Sequence, residues 1–137
     1  MNYRNILKVI GSLLIVLCIL ELICLAYSAI QEPQGFQGTA KSFAISAAVS
    51  GIAGMICLFF RDKNNKELLR KEAIAVVGLG WIICAVFGAI PYMLCTPVMS
   101  PVDSIFESMS GFTTTGASVI RDLTQYPKGI LLWRSLT

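Results

Sequence analysis

Residues whose chemistry could act on something outside the protein itself are few, and most stand together in the stretch ESMSGFTTTGAS at 107–118. Thr113, Thr114 and Thr115 are followed by Gly116, Ala117 and Ser118, and preceded by Gly111 and Glu107. A dehydrated cation needs several oxygen ligands to replace its water, and carbonyls of successive residues can supply them as a ladder. Small or β-branched side chains leave room around the axis, threonine adds hydroxyl oxygens, and glycine admits backbone angles that other residues resist. Thr113, Thr114, Thr115 and Gly116 are therefore the candidate cation ligands, through their backbone carbonyls. Glu107, about one turn away, is read as a hydrogen-bonding brace in preference to an ion ligand. Gly111 and Ala117 flank the segment as its support.

Other chemistries find little footing. The chain has no histidine, so the usual general base is missing, and no Ser/His, Cys/His or paired-carboxylate constellation suggests an enzyme. The five cysteines, Cys18, Cys24, Cys57, Cys84 and Cys95, fall mostly in apolar runs without a C-x-x-C pair. That argues against a transition-metal site or a disulfide framework and for cysteine as a small apolar side chain. Residues 111–118 nearly fit the phosphate-loop pattern G-x-x-x-x-G-K-[ST], but Ala117 stands where the lysine belongs and no strand precedes it. The net charge of +3 is small, and the basic residues sit at segment ends without interleaved aromatics, so no nucleic-acid partner is expected. No cofactor is expected either.

The elements that must position the threonines are membrane elements. Of the 137 residues, 55% are hydrophobic and 14% charged, far from the roughly 25% charged residues of a soluble domain. A first apolar run at 6–30, interrupted by Glu21, is too long for the apolar stretch of a signal peptide and has no clear cleavage site after it, so it reads as a retained transmembrane helix. Glu21, an ionisable residue at membrane depth, is expected as a packed or protonated side chain with a polar partner before a role in transport or docking. Residues 31–41 read as a polar loop with Pro33, Gly35 and Gly38 as breakers. A second helix follows at 42–60, with Ser46, Ser50 and Gly54 forming a small-residue packing face. The charged stretch 61–72 carries Arg61, Lys63, Lys66, Arg70 and Lys71 and is assigned to the cytoplasmic side with Arg4 and Lys8, which makes the N-terminus cytoplasmic. A third helix at 73–95 shows Gly80, Cys84 and Gly88 on one face and Pro91 as a kink or early end.

The stretch 100–111 departs from these long spans. As a helix it is roughly 16 Å long and crosses only half a bilayer. Ser100 suits the N-cap, Pro101 the first turn, and Asp103 lies three residues after the cap, close to a capping box. The β-branched residues and glycine that follow are poor helix formers, so the chain should leave helical geometry there. Non-helical backbone at membrane depth must be buried in protein or line a watery path, and the negative C-terminal end of the half-helix favours a cation. A polar stretch at 121–128 leads to a fourth helix that begins at 129–137, where Arg134 either snorkels to the interface or faces polar groups beside the path. The expected fold is all-α and integral to the membrane: two transmembrane helices with their basic loop (1–72), then one helix, pore loop and incomplete helix (73–137).

The segment DSIFESMSGFTTTGAS at 103–118 resembles the first pore loop of Trk-type bacterial potassium uptake proteins of the Trk/Ktr superfamily. GAIPY at 88–92 resembles that family's outer-helix ending, YPKGILLWRSLT at 126–137 the start of its inner helix, and the two N-terminal helices the extra pair of the Trk branch. The resemblance implies four such units around one pore in the bacterial inner membrane, each giving one filter strand, with Gly116 as the filter glycine. It implies that carbonyls of Thr114 and Thr115, with Thr113 and Gly116, coordinate potassium in preference to sodium. It further implies a homodimer docked to a cytoplasmic nucleotide-binding gating subunit. With one unit, the chain reads as an N-terminal fragment. The alternative is a small multi-helix accessory protein in which the threonine stretch is a structural re-entrant loop.

Overall fold

The computed structural model describes residues 3–31, 36–60 and 70–137, and among these the regular structure is entirely helical. Helices α1 (Tyr3–Gln31), α2 (Phe36–Phe59) and α3 (Arg70–Gly88) are followed by a short α4 (Ile90–Leu94), the half-length α5 (Pro101–Phe112), a 3-10 turn (Leu123–Gln125) and α6 (Lys128–Leu136). Among the described residues, three stretches are long and apolar enough to cross a membrane, Ile6–Gln31, Gly38–Phe59 and Ala73–Leu94. The expected architecture of an integral membrane protein with one half-length helix is present.

Helices run further than their apolar cores suggest. The second helix begins at Phe36 instead of 42, so Gly38 and Lys41 are helical and not parts of a loop. The physical reason is that hydropathy marks the lipid-facing length, whereas backbone hydrogen bonding continues through polar residues at the interface. Pro33 and Gly35, and Arg61, Lys63 and Lys66 of the basic stretch, lie outside the described residues. The third helix breaks at Ala89, because Pro91 has no N–H to give to the carbonyl four residues back. The indole Nε1 of Trp133 donates to the Gly88 carbonyl at this break, at 3.0 Å.

The packing inverts that of a soluble bundle. Val16, Ile19, Ile52, Met55, Ile74 and Val77 are exposed, while Thr39, Ser42, Ser46 and Ser50 are buried along one face of α2. Between helices in lipid, small and hydroxyl-bearing residues permit the close approach on which van der Waals attraction depends. Gly11 and Gly54 oppose each other across α1 and α2: a Cβ on Gly11 would lie 3.1 Å from the Gly54 carbonyl oxygen. At the other end of α1, a Cβ on Gly129 of α6 would overlap the Ser28 hydroxyl, a contact only glycine allows. Trp133 is buried between Phe43 of α2 and Phe112 of α5, edge-on to both, with centroids 6.4 and 6.5 Å away. The half-helix itself packs on α3, α4 and α6, and is linked to the N-terminal pair through Trp133 of α6.

A candidate ion-coordinating loop

Helix α5 starts where the sequence marks it. The Ser100 hydroxyl oxygen accepts from the Asp103 backbone N–H at 3.1 Å and donates its own hydrogen to the Asp103 carboxylate at 2.7 Å, with Pro101 in the first turn. Twelve residues later the helix ends, roughly 18 Å from its start. It lies against α3 at Gly88, where a Cβ would meet the Ser108 hydroxyl at 2.6 Å and the Phe112 ring at 2.7 Å.

The end of α5 is a Schellman turn. The Thr115 N–H reaches back to the Ser110 carbonyl at 3.0 Å, and the Thr114 N–H to the Gly111 carbonyl at 2.9 Å. The residue between these bonds normally has left-handed backbone and is normally glycine. Here it is Thr114, with φ of 54°, a conformation costly for a β-branched residue. Gly116 follows with φ of 75° and open space where its Cβ would be. The extended ladder expected over 113–116 is thus bent at its start: Thr113 still closes the helix, with φ of −85° and ψ of 2°, and the reversal falls on Thr114. The cause is that the orphan carbonyls of α5 are satisfied by the turn before the chain is free to extend. Thr113, Thr114, Thr115, Gly116 and Ala117 are all exposed. The Thr113 hydroxyl donates to the Met109 carbonyl and lies 2.7 Å from that of Thr115.

Two side chains of α5 tie down the outgoing strand. The Ser110 hydroxyl donates to the Ala117 carbonyl at 2.6 Å, turning that oxygen toward the helix. Glu107, 3% exposed, accepts from the Ser118 hydroxyl at 2.9 and 3.0 Å, from the Val119 N–H at 3.0 Å and from Arg134 Nε of α6 at 2.7 Å. One carboxylate therefore joins the half-helix, the strand after Gly116 and the last helix. Glu107, Ser110, Thr114, Gly116 and Arg134 line a cavity of about 340 Å³ below the turn. Gly111 faces Thr137 there, with no room for a Cβ. Further along, the Asp122 carboxylate accepts from Thr124 Oγ1, the Thr124 N–H and Gln125 Nε2, which hold it below the usual carboxylate range and fold the 3-10 turn.

Arg134 and Ser110 take parts that sequence reasoning left open or passed over. Arg134 lies 27 residues from its carboxylate partner, and its one local signal is a charge in an otherwise apolar segment. Ser110 has no local signal, because a serine in a half-helix reads as tolerated polarity.

A half-length helix that follows three candidate membrane spans, capped at one end and leading into exposed threonines at the other, directs the search to membrane transport proteins. Residues 39–137 match the family described as TrkH, cation transport protein, and the chain belongs to that family. It is 30% identical over 135 residues to the Trk system potassium uptake protein TrkH of Halomonas elongata, covering 98% of this chain and 27% of that protein. It is 32% identical over 134 residues to an uncharacterized cation transporter of Methanocaldococcus jannaschii, with the same coverage. Its fold superimposes on the crystal structure of the potassium transporter TrkH from Vibrio parahaemolyticus with a TM-score of 0.87 at 30% identity, over 98% of this chain and 28% of that one. The chain thus spans little more than a quarter of the length of these relatives. The family is one of transport proteins and not of enzymes.

Proposed function

We propose that this chain is the first pore unit of a potassium uptake protein, and that carbonyls of Thr113, Thr114, Thr115 and Gly116 form one of four filter strands around potassium. The observation that carries the reading is the end of α5, where a strained left-handed Thr114 and the permissive Gly116 reverse the chain into exposed backbone held open by Glu107. Strain of this kind collects at ligand clamps. The C-terminal end of a helix carries partial negative charge from its aligned peptide dipoles, and no basic residue stands in the last turn of α5 to cancel it, so a cation is favoured without an acidic ring. Four such strands supply the oxygens a dehydrated potassium ion needs; the other three come from elsewhere in the polypeptide, consistent with the relatives' greater length.

In this reading residues 1–72 are an N-terminal helix pair and 73–137 the pore unit. The N-terminus is cytoplasmic, the membrane is the bacterial inner membrane, and the complete protein is a homodimer gated by a cytoplasmic nucleotide-binding subunit. The test is potassium uptake by the complete polypeptide in cells lacking their own uptake systems. Gly116→Ser, which forces a side chain onto positive φ within the filter, should abolish growth at low potassium or pass sodium in its place. Unchanged uptake and selectivity would show the loop to be structural and favour an accessory role for the chain.

A further inference from the structure

Away from the threonine loop, the seam between α1 and α2 holds a second polar cluster. Glu21 is fully buried there, about 15 Å along α1 from Gln31 and so well inside the membrane span. Its Oε1 accepts from the Ser46 hydroxyl of α2. Ser50, one turn further along α2, also interacts with the carboxyl group. As the heavy atoms stand, Glu21 Oε2 and Ser50 Oγ are both buried without a hydrogen-bond partner.

The surroundings are polar but uncharged. Among the described residues no lysine or arginine side chain pairs with Glu21. The titratable groups that interact with it are the thiols of Cys18 and Cys24 on its own helix. From α2 it meets the hydroxyls of Ser46 and Ser50, while among the described side chains α3 and α6, which also pack on α1, bring no titratable group to it. An ionised carboxylate without a counter-ion is among the least favourable groups to bury in a membrane interior. A buried donor or acceptor left unpaired is unfavourable as well. One proton removes both difficulties: it neutralises the carboxyl and makes Oε2 a donor, for which Ser50 Oγ is the unfilled acceptor.

We propose that Glu21 is a membrane-embedded proton-binding site, occupied in the packed fold, with the proton held between its Oε2 and the hydroxyl of Ser50. The proton is then the group that closes the α1–α2 seam.

The test is infrared spectroscopy of the protein reconstituted in lipid, with glutamate carbon-13 labelled at the side-chain carboxyl. The expected result at neutral pH is a carbonyl band of a protonated carboxylic acid that shifts on transfer to deuterium oxide. Glu21→Gln should remove it, since the amide can still accept from Ser46 and donate to Ser50 and so keeps the seam packed. In Ser50→Ala the band should persist but move to higher frequency, because the acid has lost its acceptor. If Glu21→Gln fails to fold, the labelled wild-type protein and Ser50→Ala still decide the matter. Absence of a protonated-acid band at neutral pH overturns the proposal. So does a Glu21 carboxylate band that moves on exchanging sodium for a bulky organic cation, which would mark a metal-cation site. A protonated band unmoved by Ser50→Ala overturns the assignment of Ser50 as acceptor.

Discussion

The two acidic side chains buried among the described residues, Glu21 and Glu107, solve the same physical problem in opposite ways. Glu107 is surrounded by donors: a hydroxyl, a backbone N–H and the Arg134 guanidinium. Glu21 meets hydroxyls and thiols but no paired cation among the described residues. Glu107 is therefore a carboxylate whose charge does structural work, because three elements converge on it. Removing one partner of a buried charge pair leaves the other uncompensated, at a cost of about 3–5 kcal/mol for a fully desolvated pair. Arg134 keeps a third of its side chain in contact with solvent, which reduces this. Glu107→Gln and Arg134→Gln should each destabilise the fold by about 1–3 kcal/mol, and the double variant by little more than either alone, since both remove one interaction. Thermal unfolding in detergent and lipid checks this as a double-mutant cycle. Strictly additive losses would mean that the pair contributes nothing as a pair, and that Glu107 acts through Ser118 and Val119 only.

At the scale of the elements, the half-helix is held by close approach more than by apolar area. Gly88 and Gly80 lie on the same face of α3 two turns apart, yet they differ in what stands opposite. A Cβ at Gly88 meets Ser108 and Phe112 of α5 below 3.0 Å, whereas one at Gly80 meets only the Leu13 methyl at 3.4 Å. Gly88→Ala should push α5 off α3 and cost about 1–3 kcal/mol. Gly80→Ala should be neutral or stabilise by up to about 1 kcal/mol through helix propensity. Melting temperatures of the two variants decide it, and equal effects would mean that α5 does not lie on α3 at Gly88. Sequence alone could place both glycines on a packing face but could not rank them, because the ranking depends on residues some twenty positions away. The same limit runs through the rest of the fold. Ser100, Pro101 and Asp103 act within one turn, so the start of α5 was legible, as was the break before Pro91. The pairing of Glu107 with Arg134, the contact of Ser28 with Gly129 and the left-handed Thr114 arise only once separate elements meet. Even the start of α2 was misplaced, since polar Gln37 to Lys41 hid a helix that hydropathy does not report.

For the whole molecule, the inverted polarity of the packing makes a prediction about where lipid can reach. The two tryptophans sit in opposite environments. Trp81 of α3 is 43% exposed among the apolar side chains of the outer surface, and Trp133 of α6 is fully enclosed by Phe43, Phe112 and the Gly88 carbonyl. Bromine on a lipid chain quenches indole fluorescence only near contact, so it reports which ring touches the acyl region. In the reconstituted chain, Trp133→Phe, which leaves Trp81 as the emitter, should be strongly quenched by brominated lipid. Trp81→Phe, which leaves Trp133, should be nearly unaffected. Trp133→Phe forfeits the hydrogen bond to Gly88, a loss of about 1 kcal/mol that does not empty the core. Protection of Trp81 together with quenching of Trp133 would require α6 to lie on the outside of the bundle. The threonine loop would then lose the Arg134 contact through which Glu107 is joined to the last helix. Protection of both rings would instead place another protein surface, such as a second copy of the chain, over α3.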